Sequence, residues 1–179
     1  IGKNITGFCK NSIREGIASL FYTNKVQIPY SSNVIKRNIK VLTNDFNIEI
    51  SEDDILNKKP FLYFDKTNIE NNSNIDYKNK IVFVVGASKI NKIYPKEKFL
   101  ALANLLNEEI IVVWGNEEES NIAQYLSDAS NMIIKAPKGD LNDLKAIISK
   151  CKLLIGADTG PTHMAWALNV PSITIFGNT

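Results

Sequence analysis

An acid, a hydroxyl, a glycine and the chain's one histidine follow each other closely near the end of the sequence, as Asp158, Thr159, Gly160 and His163. The apolar run before them, residues 153–155, suits a buried strand, and the segment that begins at Pro161 suits a helix. The start of a helix offers free N–H groups and the positive end of its dipole. Phosphate groups and sugar hydroxyls bind at such places, so this turn predicts a binding site for a ligand that carries them.

Each residue of this turn also has an interpretation that involves no ligand. Asp158 and Thr159 could cap the helix, which contributes about 1 kcal/mol. Gly160 could serve a tight turn, and His163 could be a packed or surface side chain. Aspartic proteases carry the same Asp-Thr-Gly tripeptide, but in a loop between β-strands. A helix follows the tripeptide in this sequence, so a protease is disfavoured and the four residues together favour ligand binding.

Two further turns carry polar side chains of the same kind. Ser88 and Lys92 follow the β-branched run at residues 81–85, and hydroxyl and ammonium donors suit a diphosphate. The turn lacks the Gly-Lys-Ser/Thr ending of a P-loop. Glu117 follows the run at residues 110–114, where an acid commonly binds ribose hydroxyls. The alternatives are a solvated lysine and an acidic first helical turn that complements the helix dipole.

Strands and helices alternate from residue 80 onward. The strands are continuously apolar, which predicts burial on both faces and therefore a parallel sheet with helices on each side. The predicted fold class is α/β, a doubly wound, Rossmann-like parallel sheet. Ligands bind such sheets outside the carboxyl ends of the strands, so the three turns should line one crevice. The predicted strands are residues 81–85, 110–114, 132–134, 153–155 and 172–176, and the predicted helices are residues 96–106, 120–127, 141–148 and 161–168.

The first part of the chain is organised differently. Residues 12–22 and 33–46 suit two helices. Residues 57–79 are rich in asparagine and lysine and favour a loop around a short strand at residues 61–64. We place a domain boundary within residues 45–51, which divides the chain into residues 1–47 and 48–179.

Composition argues against several classes of protein. With 179 residues and a net charge of +2, the chain has the size of one full domain and part of a second. The only arginines are Arg14 and Arg37, so nothing indicates a nucleic-acid partner. Cys9 and Cys151 have no metal-ligand spacing with His163, which disfavours zinc; a reducing compartment is the simpler interpretation, and a disulfide stays open. No apolar run reaches the roughly 20 residues that span a bilayer.

Several short motifs follow each other in a fixed order along nearly the whole sequence. They are Ser12-Ile13-Arg14-Glu15, Ala18-Ser19-Leu20-Phe21-Tyr22, Lys92-Ile93-Tyr94-Pro95, Trp114-Gly115 with the acids that follow, residues 155–163, Pro171 and Phe176-Gly177-Asn178-Thr179. Together they resemble the motifs of the lipopolysaccharide heptosyltransferases, glycosyltransferase family 9, and most closely those of heptosyltransferase I. Tyr94 stands where that family usually has tryptophan.

The resemblance implies a GT-B fold with two Rossmann-like lobes. Residues 1–47 would be the end of the N-terminal, acceptor-binding lobe, and residues 48–179 a truncated C-terminal lobe that binds the nucleotide sugar. The implied enzyme is inverting and metal-independent, and it transfers L-glycero-D-manno-heptose from ADP-heptose to the Kdo residue of a lipid A precursor, without a cofactor. Such an enzyme works in the cytoplasm, at the inner membrane of a Gram-negative bacterium.

Individual roles follow from the same resemblance. The donor contacts it implies are Ser88 and Lys92 at the diphosphate, Glu117 at the ribose, Asp158 at the heptose hydroxyls, Thr159 and Gly160 at the phosphates, and His163 near the diphosphate or sugar. It also assigns Arg14 to acceptor binding or lobe closure.

Two features of that family are missing from the sequence. They are the aspartate that acts as general base and a glycine-rich loop, both near the start of the first lobe. We therefore expect the chain to be a fragment that binds the donor and transfers nothing by itself. A non-catalytic nucleotide-binding lobe, or another GT-B enzyme with a different nucleotide sugar, is the alternative.

Overall fold

The computed structural model describes residues 2–65 and 74–177. The chain forms two compact units, residues 1–58 (unit 1) and residues 59–179 (unit 2). The division falls later than the boundary predicted between residues 47 and 48. A short helix at Glu52–Leu56 stays with unit 1, where Lys36 Nζ lies 2.9 Å from Glu52 Oε1.

Unit 1 contains little regular structure. Its strands β1 (Thr6–Phe8) and β2 (Asn24–Val26) pair in parallel, and its helices are α1 (Val34–Thr43) and α2 (Glu52–Leu56). Helix α1 confirms the helix predicted over residues 33–46. It begins after Asn33, whose side chain accepts a hydrogen bond from Ile35 N at 2.9 Å.

The prediction of one helix over residues 12–22 is wrong. Two short 3₁₀ helices, Lys10–Ser12 and Gly16–Phe21, occupy this part of the chain. Between them the backbone leaves the helical region at Ile13 (φ −133°, ψ 149°) and Glu15 (φ −107°, ψ 86°), and two serine hydroxyls bond to backbone groups nearby. Ser12 Oγ accepts from Ile28 N at 2.9 Å, and Ser19 Oγ donates to Gly16 O at 2.7 Å.

Unit 2 follows the alternation that the sequence predicted. The strands are β3 (Ile81–Val84), β4 (Ile110–Val113), β5 (Ile133–Lys135), β6 (Leu153–Ala157) and β7 (Ser172–Ile175). The α-helices between them are α3 (Lys96–Leu106), α4 (Glu117–Ala129), α5 (Leu141–Lys150) and α6 (Gly160–Ala167). Residues 61–64 do not form the predicted strand, because this segment joins no sheet. Phe61 N instead donates a hydrogen bond to Ala167 O. Residues 66–73 of the predicted loop lie outside the described residues.

The sheet of unit 2 is parallel throughout, with the strand order β5-β4-β3-β6-β7. This confirms the α/β, doubly wound, Rossmann-like fold class. Strands β3 and β4 are buried at every residue, because helices cover both faces of the sheet. Val82 packs with Ile148 and Leu168 on one face, while Phe83 packs with Phe99 and Leu126 on the other.

The strand order reverses between β3 and β6. Chain connections leave β3 toward β4 on one side and reach β6 on the other, so a crevice opens between the carboxyl ends of β3 and β6. Gly156 allows the two strands to lie close together at this point. A Cβ added to Gly156 would come within 2.7 Å of Val84 Cβ.

None of the helices in residues 2–65 and 74–177 combines the length and the hydropathy that crossing a bilayer requires. In the same ranges, His, Cys, Asp and Glu side chains form no cluster of three or more that could hold a metal ion. Cys9 and Cys151 are both free thiols, so the disulfide that the sequence left open is not formed.

Candidate functional site

The structure brings Lys92 and Asp158 together at the reversal point of the sheet. Lys92 ends a 3₁₀ helix, Ile90–Lys92, in the turn after β3, and Asp158 is the first residue after β6. Lys92 Nζ lies 3.1 Å from Asp158 Oδ2 and 3.5 Å from the Asp158 carbonyl oxygen. Two turns that are 66 residues apart in sequence therefore meet through one ion pair.

The ion pair is only partly exposed to solvent. The Lys92 side chain is 18% exposed and the Asp158 side chain is 34% exposed. The hydrogen bond from Lys92, and then its positive charge, hold the pKa of Asp158 below its ordinary value. His163 contributes in the same direction, since its Nε2 lies 3.4 Å from Asp158 Oδ1. Asp158 is thus an ionised group that faces a cation and leaves one edge open to solvent.

The turn that carries Asp158 is built by two threonines. Thr159 Oγ1 donates to Ala157 O at 3.3 Å, and Thr159 N donates to Thr162 Oγ1 at 3.2 Å. The buried Thr162 was not singled out from the sequence, although a Thr-x-x-Thr spacing before a helix is a capping signal. Asp158-Thr159-Gly160 therefore joins a parallel strand to a helix, which is not the setting of an aspartic protease.

Gly160, the first residue of α6, faces open space. None of the described atoms lies within 4 Å of a Cβ built at this position, and its backbone has no left-handed conformation. Packing and conformation within the protein thus do not require glycine here. Its backbone N–H stands at the positive end of a helix and can be approached closely by a ligand.

A cavity of about 460 Å³ lies at the carboxyl ends of β3, β4 and β5. Its lining is mainly apolar and consists of Val84, Val113, Trp114, Gly115, Glu119, Ala136, Pro137, Gly139, Asp140, Leu141, Leu144, Ile147 and Pro161. Trp114 is fixed at its wall, because Trp114 Nε1 donates to Ala136 O at 2.7 Å. The cavity has the size and the character of a site for a flat organic ring with a few polar groups.

Two acids line this cavity, and sequence reasoning missed both. Asp140 caps the start of α5, whereas Glu119 faces the turn after β4. One carboxylate oxygen, Oε2, accepts from Gly115 N at 2.7 Å, and the other, Oε1, accepts from Asn116 Nδ2 at 2.9 Å. A side chain on Gly86 would collide with the Glu119 carboxylate, so this carboxylate also lies against the turn after β3. The spacing Asn116-x-x-Glu119 at a helix start was the available signal.

Neither Glu117 nor Ser88 lines the cavity of unit 2. Glu117 is exposed at the first position of α4. Ser88 is exposed in the turn after β3, on the same edge of the sheet as Lys92. Arg14 is exposed in unit 1.

The end of β7 supports the Lys92 turn. A Cβ on Gly177 would collide with Asn91 O and would lie 3.2 Å from Lys92 Cα. The backbone after β7 therefore touches the backbone that carries Lys92, and the motif around Phe176 and Gly177 has a structural reason to accompany the lysine motif.

Comparison with known proteins identifies the family. The family model described as glycosyltransferase family 9 (heptosyltransferase) matches residues 2–179. The chain belongs to this family. The turn with Asp158, the lysine turn and the segment after β7 are thus parts of one glycosyltransferase lobe of the GT-B type.

The family includes relatives with assigned names. Lipopolysaccharide heptosyltransferase 1 of Campylobacter coli is 35% identical over 192 residues, an alignment that covers 100% of this chain and 56% of that protein. The protein of the same name from Escherichia coli K12 is 26% identical over 93% of this chain and 51% of its own length. The chain spans about half the length of these relatives.

Solved structures share the fold. The structure described as E. coli heptosyltransferase WaaC with ADP matches with a TM-score of 0.74 and 23% identity, over 97% of this chain and 55% of that one. A family 9 glycosyltransferase from Veillonella parvula matches with a TM-score of 0.59 and 18% identity, over 92% of this chain and 50% of that one. The fold of this family member is therefore that of the glycosyltransferase structures.

Proposed function

We propose that unit 2 binds ADP-heptose and that the whole protein is a heptosyltransferase. In this proposal it transfers L-glycero-D-manno-heptose to the Kdo residue of a lipid A precursor, with inversion and without a metal ion. The observation that carries the proposal is the ion pair of Lys92 and Asp158 at the reversal point of the sheet, beside the apolar cavity. Membership in family 9 and the named relatives support the same reaction class.

The parts of a nucleotide sugar fit the parts of this site. The cavity with Trp114 suits the nucleobase, and the Glu119 carboxylate suits the ribose hydroxyls. Lys92 suits the diphosphate, with help from the hydroxyl of Ser88 and from the start of α6 at Thr159 and Gly160. The ionised Asp158 suits sugar hydroxyls, because it accepts hydrogen bonds and repels phosphate.

The chemistry of leaving-group departure explains the choice of residues. When the bond between the heptose and the β-phosphate breaks, its electron pair stays on the phosphate oxygen. The diphosphate gains negative charge, so Lys92 and the N–H groups of α6 stabilise the transition state more than the bound donor. These groups supply the positive charge that a divalent ion supplies in other transferases.

The acceptor side of the proposal rests on fewer residues. The acceptor is a lipid A precursor in the inner membrane of a Gram-negative bacterium, which the protein meets from the cytoplasm. Arg14, an exposed cation in unit 1, is proposed to contact the anionic acceptor.

Calorimetric titration with ADP tests the donor site. Lys92→Met removes one charge-assisted contact to the diphosphate, so we expect a loss of about 1.5–3 kcal/mol, or roughly 10- to 150-fold in affinity. Lys89→Met, which removes an exposed lysine from the same turn, is the matched control and leaves the affinity unchanged. Equal affinity of wild type and Lys92→Met for ADP would remove Lys92 from the site.

The same titration separates Glu119 from Glu117. Glu119→Gln weakens ADP binding, while Glu117→Gln, two residues earlier and exposed, does not. The reverse order would restore Glu117 as the ribose ligand. Equal affinities for ADP and UDP would contradict the choice of an adenine nucleotide.

A further inference from the structure

Asp158 places a fixed negative charge next to the site proposed for a diphosphate. The distance of 3.1 Å between Lys92 Nζ and Asp158 Oδ2 limits how far apart the carboxylate and the ligand can be. A phosphate oxygen that accepts from Lys92 at about 2.8 Å lies at most about 6 Å from that carboxylate oxygen. A bound diphosphate and Asp158 therefore share one cation.

Several contacts keep Asp158 charged and in place. Lys92 and His163 both lie beside its carboxylate, and the hydrogen bonds of Thr159 and Thr162 hold the turn. Its side chain is only about one-third exposed, so water screens its field less than on an open surface. Moving the carboxylate away would require it to leave its ammonium partner.

The donor and the spent nucleotide differ in charge at this position. The β-phosphate of a nucleotide diphosphate sugar is joined to the α-phosphate by an anhydride bond and to the sugar by an ester bond, so it carries one negative charge. After transfer it is a terminal phosphate, whose second proton has a pKa near 6, so it carries nearly two charges at neutral pH. Loss of the sugar also removes the hydroxyls that could donate to Asp158.

We infer that Asp158 determines the specificity of the site for the nucleotide sugar over the free nucleoside diphosphate. Its carboxylate accepts hydrogen bonds from the sugar and repels the additional charge that appears when the sugar leaves. The residue thereby weakens product binding and favours exchange of spent ADP for new donor. This inference rests on the proposed function, because it requires a diphosphate at Lys92.

Titration of ADP and ADP-heptose into wild type and Asp158→Asn tests the inference. We expect Asp158→Asn to bind ADP about tenfold more tightly than wild type, because a repulsion is lost and Lys92 is released. The same variant gains less affinity for ADP-heptose, or loses affinity for it, so the preference for donor over product falls. A residue that only positions Lys92 gives the opposite sign, because its loss weakens ADP binding.

Two more variants make the test decisive. Asp158→Ser also removes the charge and must shift ADP affinity in the same direction, which covers the case in which the asparagine variant does not fold. Glu118→Gln removes an exposed acid from α4 and leaves ADP affinity unchanged.

The outcomes that overturn the inference are distinct from failure of the proposed function. Unchanged or weaker ADP binding by Asp158→Asn, or an equal gain with Glu118→Gln, overturns the role of Asp158. Unchanged ADP binding by Lys92→Met instead shows that the diphosphate does not bind at this lysine.

Discussion

Units 1 and 2 place their apolar side chains in opposite ways. Among the described residues of unit 1, Val26 is the only apolar side chain that is fully buried, and helix α1 has no buried residue. Ile17, Leu20 and Phe21 are more than 70% exposed there. In unit 2 the strands β3 and β4 are completely buried between two layers of helices.

The two units therefore obtain their stability in different ways. Burial of apolar surface is the main favourable term in folding, and unit 2 achieves it within its own residues. A two-stranded sheet beside helices whose apolar side chains are exposed buries little apolar surface. We therefore expect unit 2 to respond to core substitutions as an ordinary domain and unit 1 to respond weakly.

The largest difference in stability loss is expected between two phenylalanine-to-alanine substitutions, one in each unit. Phe83 is fully buried in β3 and packs on Phe99 with a ring-centroid distance of 5.1 Å, whereas Phe21 is 72% exposed. Phe83→Ala should lower the free energy of unfolding by about 3–5 kcal/mol. Phe21→Ala should change it by less than about 0.5 kcal/mol. Urea unfolding measures both, and an equal loss in Phe21→Ala would show that this surface is covered by another part of the protein.

An intermediate contrast is expected between two glycines. An added Cβ at Gly156 meets Val84 Cβ in the centre of the sheet, where the strands cannot move apart easily. Gly156→Ala should cost about 1–3 kcal/mol of stability. At Gly7 the added Cβ meets the ring of Tyr22, a half-buried side chain of unit 1 that can rotate away. Thermal unfolding should give a smaller loss for Gly7→Ala, and the opposite order would contradict the rigid core of unit 2.

The smallest contrast is expected between the two cysteines. Burial raises the pKa of Cys151 from 9.0 to about 11, whereas a hydrogen bond with Ser12 lowers the pKa of Cys9. A raised folded-state pKa means that the stability contribution is complete below pH 9 and is lost as the pH rises through about 11. Wild type should lose about 1 kcal/mol by about pH 10 relative to Cys151→Ala, whereas Cys9→Ala keeps this decline.

Thiol labelling checks the same contrast at neutral pH. Iodoacetamide should modify Cys9 before Cys151, because the thiolate is the reactive form and the Cys151 thiol is buried and protonated. Rapid labelling of Cys151 in the folded protein would contradict its burial.

The edge of the sheet at which Lys92 and Asp158 lie could be predicted from the sequence. Lys92 and Asp158 follow apolar strands, and parallel strands bring their carboxyl ends to one edge, so local patterns were enough to place both residues there. The cavity could not be predicted, because Trp114 and Ala136 follow two different strands and Leu141 begins a helix. Their proximity depends on the strand order, which periodicity does not contain.

The two acids of α4 show the same limit at a finer scale. Glu117 and Glu119 are two residues apart, which turns their side chains about 200° from each other on a helix. The sequence placed an acid at this turn, but only the hydrogen bonds from Gly115 and Asn116 show that Glu119 is the one held in the cavity. The helix predicted over residues 12–22 failed for a related reason, since Ser12 bonds to Ile28, which lies outside that segment.

Local patterns in the amino-acid sequence establish the α/β class, the order of its elements and the turns that carry polar residues. These follow from hydrophobic periodicity and from the preferences of residues at helix starts, which act over a few neighbouring positions. The packed fold is needed to show that Lys92 pairs with Asp158, that Gly177 touches the lysine turn, and that Glu119 lines a cavity. Those contacts depend on strand order and on helix rotation, which are fixed when the whole core packs.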